Sequence, residues 1–431
     1  MQIGLGLSLS LSPILGGTIG SGLVDAHPLY AYTRPTFLTD FLTGWYELSG
    51  TKVSAFSSLP SISIARASTG YAQTAAGVLT SFASGAARIT DKGLLVEGAA
   101  TNLCLWSQEF DNATWSNPNI TVTANAGVAP DGTATADLCT VTTTAATQLV
   151  QAVGAVVGTN CCASVYVQNV NRTDSVGSFY LRDLTAAAIK VTCTVNWDAM
   201  TVSGTGARIE RLGSSNWYRI IMVDTAWTTG NTAQIYCGAA GASLTGGMAW
   251  YQWGAQLEAA AYASSYIPTT TASATRAADV ISLPVSGLAY PVTMYAEVDF
   301  PTLKNSGASS AFLQVDDGDS SDRALLYSTA GAGTGARMYV AAASVQQALP
   351  SVGTLAVGVS KMAARCAANS FQVAGGGTLA TEDASGSAPS TPTTIRFGRE
   401  TSGGTEAAAY LRRLAIWPTA FSNAQLQAVT T

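Results

Sequence analysis

Charge is scarce in this chain. Its 431 residues include 21 Lys and Arg and 26 Asp and Glu, 11% in all, against roughly 25% in an average globular protein. Long charged surface helices and coiled coils are therefore excluded as the main architecture. There is one histidine, His27, so a Ser–His–Asp arrangement would have to use it. It stands before Pro28, in an extended or turn conformation, and near no nucleophile motif. A glycosidase needs two opposed carboxylates, and no spacing of acidic residues singles out such a pair. The chain is accordingly expected not to be an enzyme.

The net charge of −5, with basic residues scattered, gives no electrostatic footprint for nucleic acid. No apolar run reaches the ~18–20 residues needed to span a bilayer, and no membrane insertion is expected. The N-terminal MQIGLGLSLSLSPILGG lacks the positive n-region of a secretory signal, so it is expected to be retained. C-x-x-C pairs and Cys/His clusters are missing, which argues against zinc. The seven cysteines, 104, 139, 161, 162, 193, 237 and 366, are odd in number and include an adjacent pair. Buried free thiols are the expectation.

What fills the composition is Ala, Gly, Ser and Thr, which suits short strands with uncharged polar faces and many turns. Ile3, Leu5, Leu7, Leu9 and Leu11 alternate along an N-terminal strand that needs a partner sheet, in this chain or in another protein. From about 100 to 270, candidate strands recur at even spacing: 119–124, 147–152, 161–168, 177–183, 188–196, 207–212, 216–224, 232–238 and 248–257. That is the signature of a sandwich or barrel. A Thr/Ala/Ser-rich linker follows at 267–279. Strands then resume, among them 292–300, 323–328, 336–341, 394–398 and 409–417, before a short helix that Ser422 would cap. The fold class is all-β: two tandem jelly-roll sandwiches preceded by an extended, loop-rich anchor. The expected division is 1–60 as an attachment segment, 61–100 as a lead-in, 101–270 as the first sandwich and 271–431 as the second.

Three passages, in order, resemble modular phage virion proteins (head spikes, head fibres and tail fibres). They are Ala65–Thr69 with Gly93–Gly98 and Thr101–Leu103; Trp106–Asn112 through Trp115 with Ala129–Thr133 and Ala136–Asp137; and Trp253–Glu258 with Ser265–Thr269 and Thr275–Asp279. In that family such blocks bracket a jelly roll similar to carbohydrate-binding modules. The last third, with Leu411–Trp417 and Phe421–Leu426, looks like a laminin-G or concanavalin-type jelly roll. The resemblance implies a projecting structural protein of a phage or phage-like particle that contacts host surface polysaccharide. It would join other virion proteins through residues 1–60, form a homo-oligomer, and reside on the extracellular particle. A purely architectural decoration protein without ligand is the other reading, and a polysaccharide depolymerase a third.

Sugars present apolar C–H faces and hydroxyls, so their sites pair an exposed ring with amide or carboxylate acceptors. The sequence candidates are Trp227 with Asn231, Trp197 beside Asn196 and Asp198, and Tyr251 with Gln252. Trp217, Trp250 and Trp253 read as core. Glu97 and Glu258 read as turn-holders. Asp316, Asp317, Asp319 and Asp322 form the densest acidic cluster and are the candidate calcium ligands. Their spacing does not fit an EF-hand, and a solvated acidic turn competes with that reading.

Overall fold

A computed structural model describes residues 27–301, 309–329, 335–353 and 356–431. The predicted N-terminal strand at residues 3–11 lies outside the described residues. The described residues are built mainly from antiparallel sheets, with one α-helix among them, Asn423–Thr430, at the end. Several strands predicted from sequence match to the residue: Gly177–Asp183, Ala188–Asn196, Val292–Phe300 and Ala409–Trp417. Ser422 caps the helix in a reciprocal capping box with Gln425, which satisfies two otherwise orphaned backbone donors.

The two sandwiches are nested, not tandem. One core gathers Phe37, Phe41, Tyr46, Phe56 and Leu59 with Leu94, Val96 and residues from Ile281 to Ile416. Its 10-stranded sheet runs Phe37–Asp40 against Ala409–Trp417, which also pairs with Gly93–Val96. Its 8-stranded sheet takes Ser63–Ala65 against Val280–Pro284. Within the expected 1–60 attachment segment and 61–100 lead-in, the strands at 37–53, 63–65 and 89–96 therefore belong to the second sandwich, while Gly70–Gln73 and Leu79–Phe82 form a separate two-stranded ribbon. The physical reason is pairing: Phe37 and Tyr46 are core residues of that sandwich, not the surface of a separate anchor. We call it the split sandwich.

A second core, from Cys104 to Leu257, belongs to the inserted sandwich. It has a 6-stranded sheet, Ile120–Gly127, Ala136–Val141, Ala249–Glu258, Cys161–Asn169, Tyr218–Asp224 and Ala207–Arg211 in spatial order. Facing it is a 5-stranded sheet in the order Ala145–Ala155, Thr232–Leu244, Gly177–Asp183, Ala188–Asn196 and Thr201–Ser203. The chain enters and leaves through one two-stranded ribbon, Ala100–Asn102 against Ala274–Arg276. All seven cysteines are free and buried; burial pushes their thiols up, so they behave as small apolar residues.

The blocks that carry the phage resemblance build the joint. Arg66 pairs with Asp279 at 3.0 Å, Arg88 bridges Glu97 at 2.7 Å and Asp279, and Arg276 stands 3.6 Å from Glu97. All five side chains are buried. Gly70 leaves the space these arginines occupy, since a Cβ there would meet Arg66, Arg88 and Arg276 at 3.1–3.3 Å. Burial would raise the Glu97 pKa, but Arg276 and Arg88 outweigh it and hold the carboxyl down at about 2. Asn102 satisfies its whole amide, donating to the Ala255 and Ile267 carbonyls and accepting from the Cys104 and Leu257 N–H groups. Glu97 and Glu258 fasten turns: Glu97 accepts from the Ser265 N–H and hydroxyl, and Glu258 does the same for Ser264.

Candidate functional site

The pleat of a strand sends alternate side chains to opposite faces, so each sandwich has two outer faces, and these differ in what covers them. On the inserted sandwich, the 6-stranded sheet turns Tyr166, Trp217, Trp253 and half-buried Tyr251 outward. That face is closed. Leu79, Ala129, Leu212 and Tyr266 pack over it, Tyr266 lies 4.4 Å from Trp253 between ring centroids, and the Leu79 N–H donates to the Pro130 carbonyl. The remaining free space beside Tyr71, Tyr166, Tyr262 and Tyr410 is about 60 Å³, room for a few waters.

The opposite face, on the 5-stranded sheet, is left open by the described residues. Strand register sets Val150, Tyr236, Tyr180 and Thr192 in one row across four strands, and Ala152, Gln234, Arg182 and Ile189 in the next. Their inward neighbours Phe179, Leu181, Ala233, Ile235 and Cys237 fill the core, which forces the two tyrosines out. Their ring centroids are 5.8 Å apart at 58°. Gln234 Oε1 accepts from both Arg182 Nη1, at 3.0 Å, and the Tyr236 hydroxyl, at 3.1 Å. Tyr180, Tyr236, Gln234 and Arg182 are half-exposed and Thr192 is exposed; Ile189 is 51% exposed. Two rigid amphipathic rings beside amide, guanidinium and hydroxyl groups make a platform that can stack on an apolar sugar face and hydrogen-bond its rim.

The sequence candidates fall elsewhere. Trp197 is fully buried, its ring centroid 6.3 Å from that of Phe179 and 6.1 Å from that of Trp250, with the Arg172 guanidinium 4.3 Å from its ring. Arg172, itself buried, pairs with Asp174 at 2.6 Å. Trp227 is 3% exposed and packs in the same core. Neither ring presents a face to solvent, so neither can stack on a sugar; the turn-like AWTTGN carries its tryptophan inward. Asn231 is tied to Asp183 at 2.7 Å. Gln252 is buried and accepts from the Trp250 indole at 2.9 Å. Tyr251 lies on the closed face against Gly127, where a Cβ would come within 2.6 Å of its ring. Trp217, Trp250 and Trp253 are core, as the sequence suggested.

The acidic cluster does not converge on a point. Asp316 is buried in a two-pronged pair with Arg396, at 2.7 and 3.1 Å. Asp319 accepts from the Ser321 N–H and hydroxyl. Asp322 accepts from the Ala343 and Ser390 N–H groups, and Asp317 from the Ser390 hydroxyl at 3.4 Å. Among the described residues no group of three or more His, Cys, Asp or Glu is placed to hold a metal ion. His27 is buried, 3.0 Å from Asp40, which also pairs with Arg413 at 2.8 Å.

No family model matches the chain, and no curated protein matches it. Solved structures similar to it include the Ruminococcus gnavus IT-sialidase CBM40, at 15% identity and TM-score 0.27, covering 33% of this chain and 83% of its own. A native heptameric SAP-like pentraxin from Limulus polyphemus matches at 13% and 0.27, covering 35% and 72%. Domains LG4-5 of the mouse laminin alpha1 chain match at 10% and 0.23, covering 65% and 90%. Likeness at this level says nothing of ligand or role, and none of these three extends the phage resemblance.

Proposed function

We propose that the chain is a non-catalytic, glycan-binding structural protein whose inserted sandwich presents the Tyr180–Tyr236 face to polysaccharide. The observation that carries this is the uncovered pair of tyrosines with Gln234 and Arg182 in the adjoining row. A neutral sugar chain lying along the row would exchange water for two ring faces and several polar contacts. Tyr brings such contact area with little side-chain entropy to lose. The setting on a phage or phage-like particle, with oligomerisation and attachment to other virion proteins, rests on the resemblance of the sequence blocks alone. A glycan array probed with the full chain and with a Tyr180→Ala/Tyr236→Ala variant tests the reading. Binding that disappears in the folded variant supports it; binding that persists unchanged removes the site.

The architectural reading, with no ligand, is favoured by one specific observation: the tryptophans in the turns, Trp197 and Trp227, are buried inside the chain's own core. On that reading the tyrosine face would be a contact with a neighbouring protein. The array separates the two, because a protein contact gives no glycan signal.

A further inference from the structure

The split sandwich also has one outer face closed by a helix and one that is only partly covered. Its 10-stranded sheet is covered by the terminal helix and the 27–32 segment, which enclose Tyr295, Trp417, Phe421, Leu426 and Val429. On the 8-stranded sheet, Ala324 and Leu326 point into the core, whereas Leu325 and Tyr327 cluster with Ala311 and half-buried Tyr339 on the outside. A cavity of about 130 Å³ opens there, lined by Arg323, Tyr327, Tyr339, Glu400 and Thr405 among others. The loop carrying Glu400 and Thr405 forms one wall, anchored where the Ala311 N–H donates to the Thr405 carbonyl at 2.8 Å.

The charged groups that line the cavity pair with each other, and Arg337, outside that lining, adds a further positive charge beside it. Arg323 lies 4.9 Å from the Tyr339 ring and pairs with Glu400 at 3.0 Å. Arg337, directly opposite Tyr327 in the register, lies 5.9 Å from that ring and donates to the neutral Thr329 hydroxyl at 3.0 Å. Among the described residues it joins no ion pair, and the Nε–H groups of Arg323 and Arg337 are both shut from water with no acceptor. Two guanidiniums against one carboxylate leave a net positive charge beside a tyrosine-walled hollow. The hollow is smaller than the ~300–1,000 Å³ of a pocket that swallows a whole ligand. It fits a substituent of a sugar ring, with the ring itself resting on tyrosine.

We propose that this face is a second glycan site, specific for carboxylate-bearing sugars. The sugar carboxylate would sit at Arg337, where a planar guanidinium meets it in two parallel hydrogen bonds. Half-exposed Tyr339 would carry the ring, with buried Tyr327 forming the floor beneath it, and Glu400, held by Arg323, would accept from its hydroxyls. The site lies on a different sandwich from the Tyr180–Tyr236 platform and does not depend on it.

The test is saturation-transfer NMR on the full chain with glucuronate, galacturonate and N-acetylneuraminate, each beside its methyl ester. At least one free acid should bind, about tenfold or more tightly than its uncharged ester, and less tightly as salt is raised. Arg337→Gln should abolish that difference and Tyr339→Ala should weaken both forms, while Tyr180→Ala/Tyr236→Ala leaves the preference intact. Circular dichroism would confirm that each variant folds. Absence of binding by all three acids, equal binding of acid and ester, or a preference that survives Arg337→Gln would each overturn the proposal. Loss of the preference in the Tyr180/Tyr236 variant alone would assign it to the other platform and overturn it too.

Discussion

The two outer faces of the inserted sandwich are made of similar residues with opposite fates. Tyr166, Trp217 and Trp253 on one sheet are sealed by the segments around Leu79, Ala129 and Tyr266. Tyr180 and Tyr236 on the other remain half-exposed beside Gln234, Arg182 and exposed Ile189. The split sandwich repeats the contrast, with Trp417 and Phe421 beneath the terminal helix on one side and Tyr339 half-exposed on the other. An outward aromatic residue is thus not by itself a sign of a binding site. The informative feature is an outward aromatic side chain that the other described residues leave uncovered.

The contrast yields predictions that rank by how deeply each residue is committed to a closed face. Arg88→Ala should have the largest effect, since it removes the partner that Glu97 and Asp279 share at the buried joint and leaves each with one arginine. Removing one partner of a buried pair costs about 3–5 kcal/mol, and chemical denaturation should show both sandwiches weakened together. Trp253→Ala on the closed face should cost about 3–5 kcal/mol, because the fully buried ring leaves a cavity against Tyr266. Ser422→Ala, which removes the helix cap over the other closed face, should cost about 1 kcal/mol, read as earlier fraying of the last residues in hydrogen exchange. Tyr236→Ala on the open face should change stability least, about 1 kcal/mol or less, in the same denaturation series.

The joint and the interior of the inserted sandwich also differ in sign with pH. Glu97 is held at about 2, below the ordinary 4.5, so its contribution is complete above about 4.5 and fades as pH falls toward 2. Asp137 behaves in the opposite sense. Burial raises it to about 6 despite the N–H groups of Asn125 and Phe110 that donate to it, with Asp111 and Glu109 adding to the rise. It therefore favours the folded state most below 3.8, and that contribution is lost as pH rises through 6. Stability measured from pH 3 to 8 should flatten between 4 and 6 in Asp137→Asn relative to the unaltered chain; an unchanged slope would contradict this assignment.

Much of the β framework was legible from the pleat. Gly177–Asp183 and Thr232–Leu244 reveal themselves by alternation, and the same alternation already separates Phe179 and Leu181 from Tyr180 and Arg182. The open platform could have been found by following the polar phase of those two strands, instead of looking for tryptophan in turns. Trp197 and Trp227 misled because a turn-like sequence says nothing of which way its ring points; here Arg172 and the core take them in. Nesting was not legible. It depends on Phe37–Asp40 pairing with Ala409–Trp417, hundreds of residues away, and no local pattern encodes a partner at that distance. The placement of the acidic cluster was not legible for a similar reason: Asp316 meets Arg396 across the sheet, which sequence proximity cannot show.

The most direct test of the account compares Tyr180→Ala/Tyr236→Ala with Tyr166→Phe/Tyr251→Phe on a glycan array. The first pair alters the open face; the second alters the closed one while keeping its packing. Glycan binding lost only in the first variant, with both proteins folded, is the predicted result. Equal retention of binding in both variants, or loss only in the second, would contradict the claim that the uncovered tyrosine face is the binding surface.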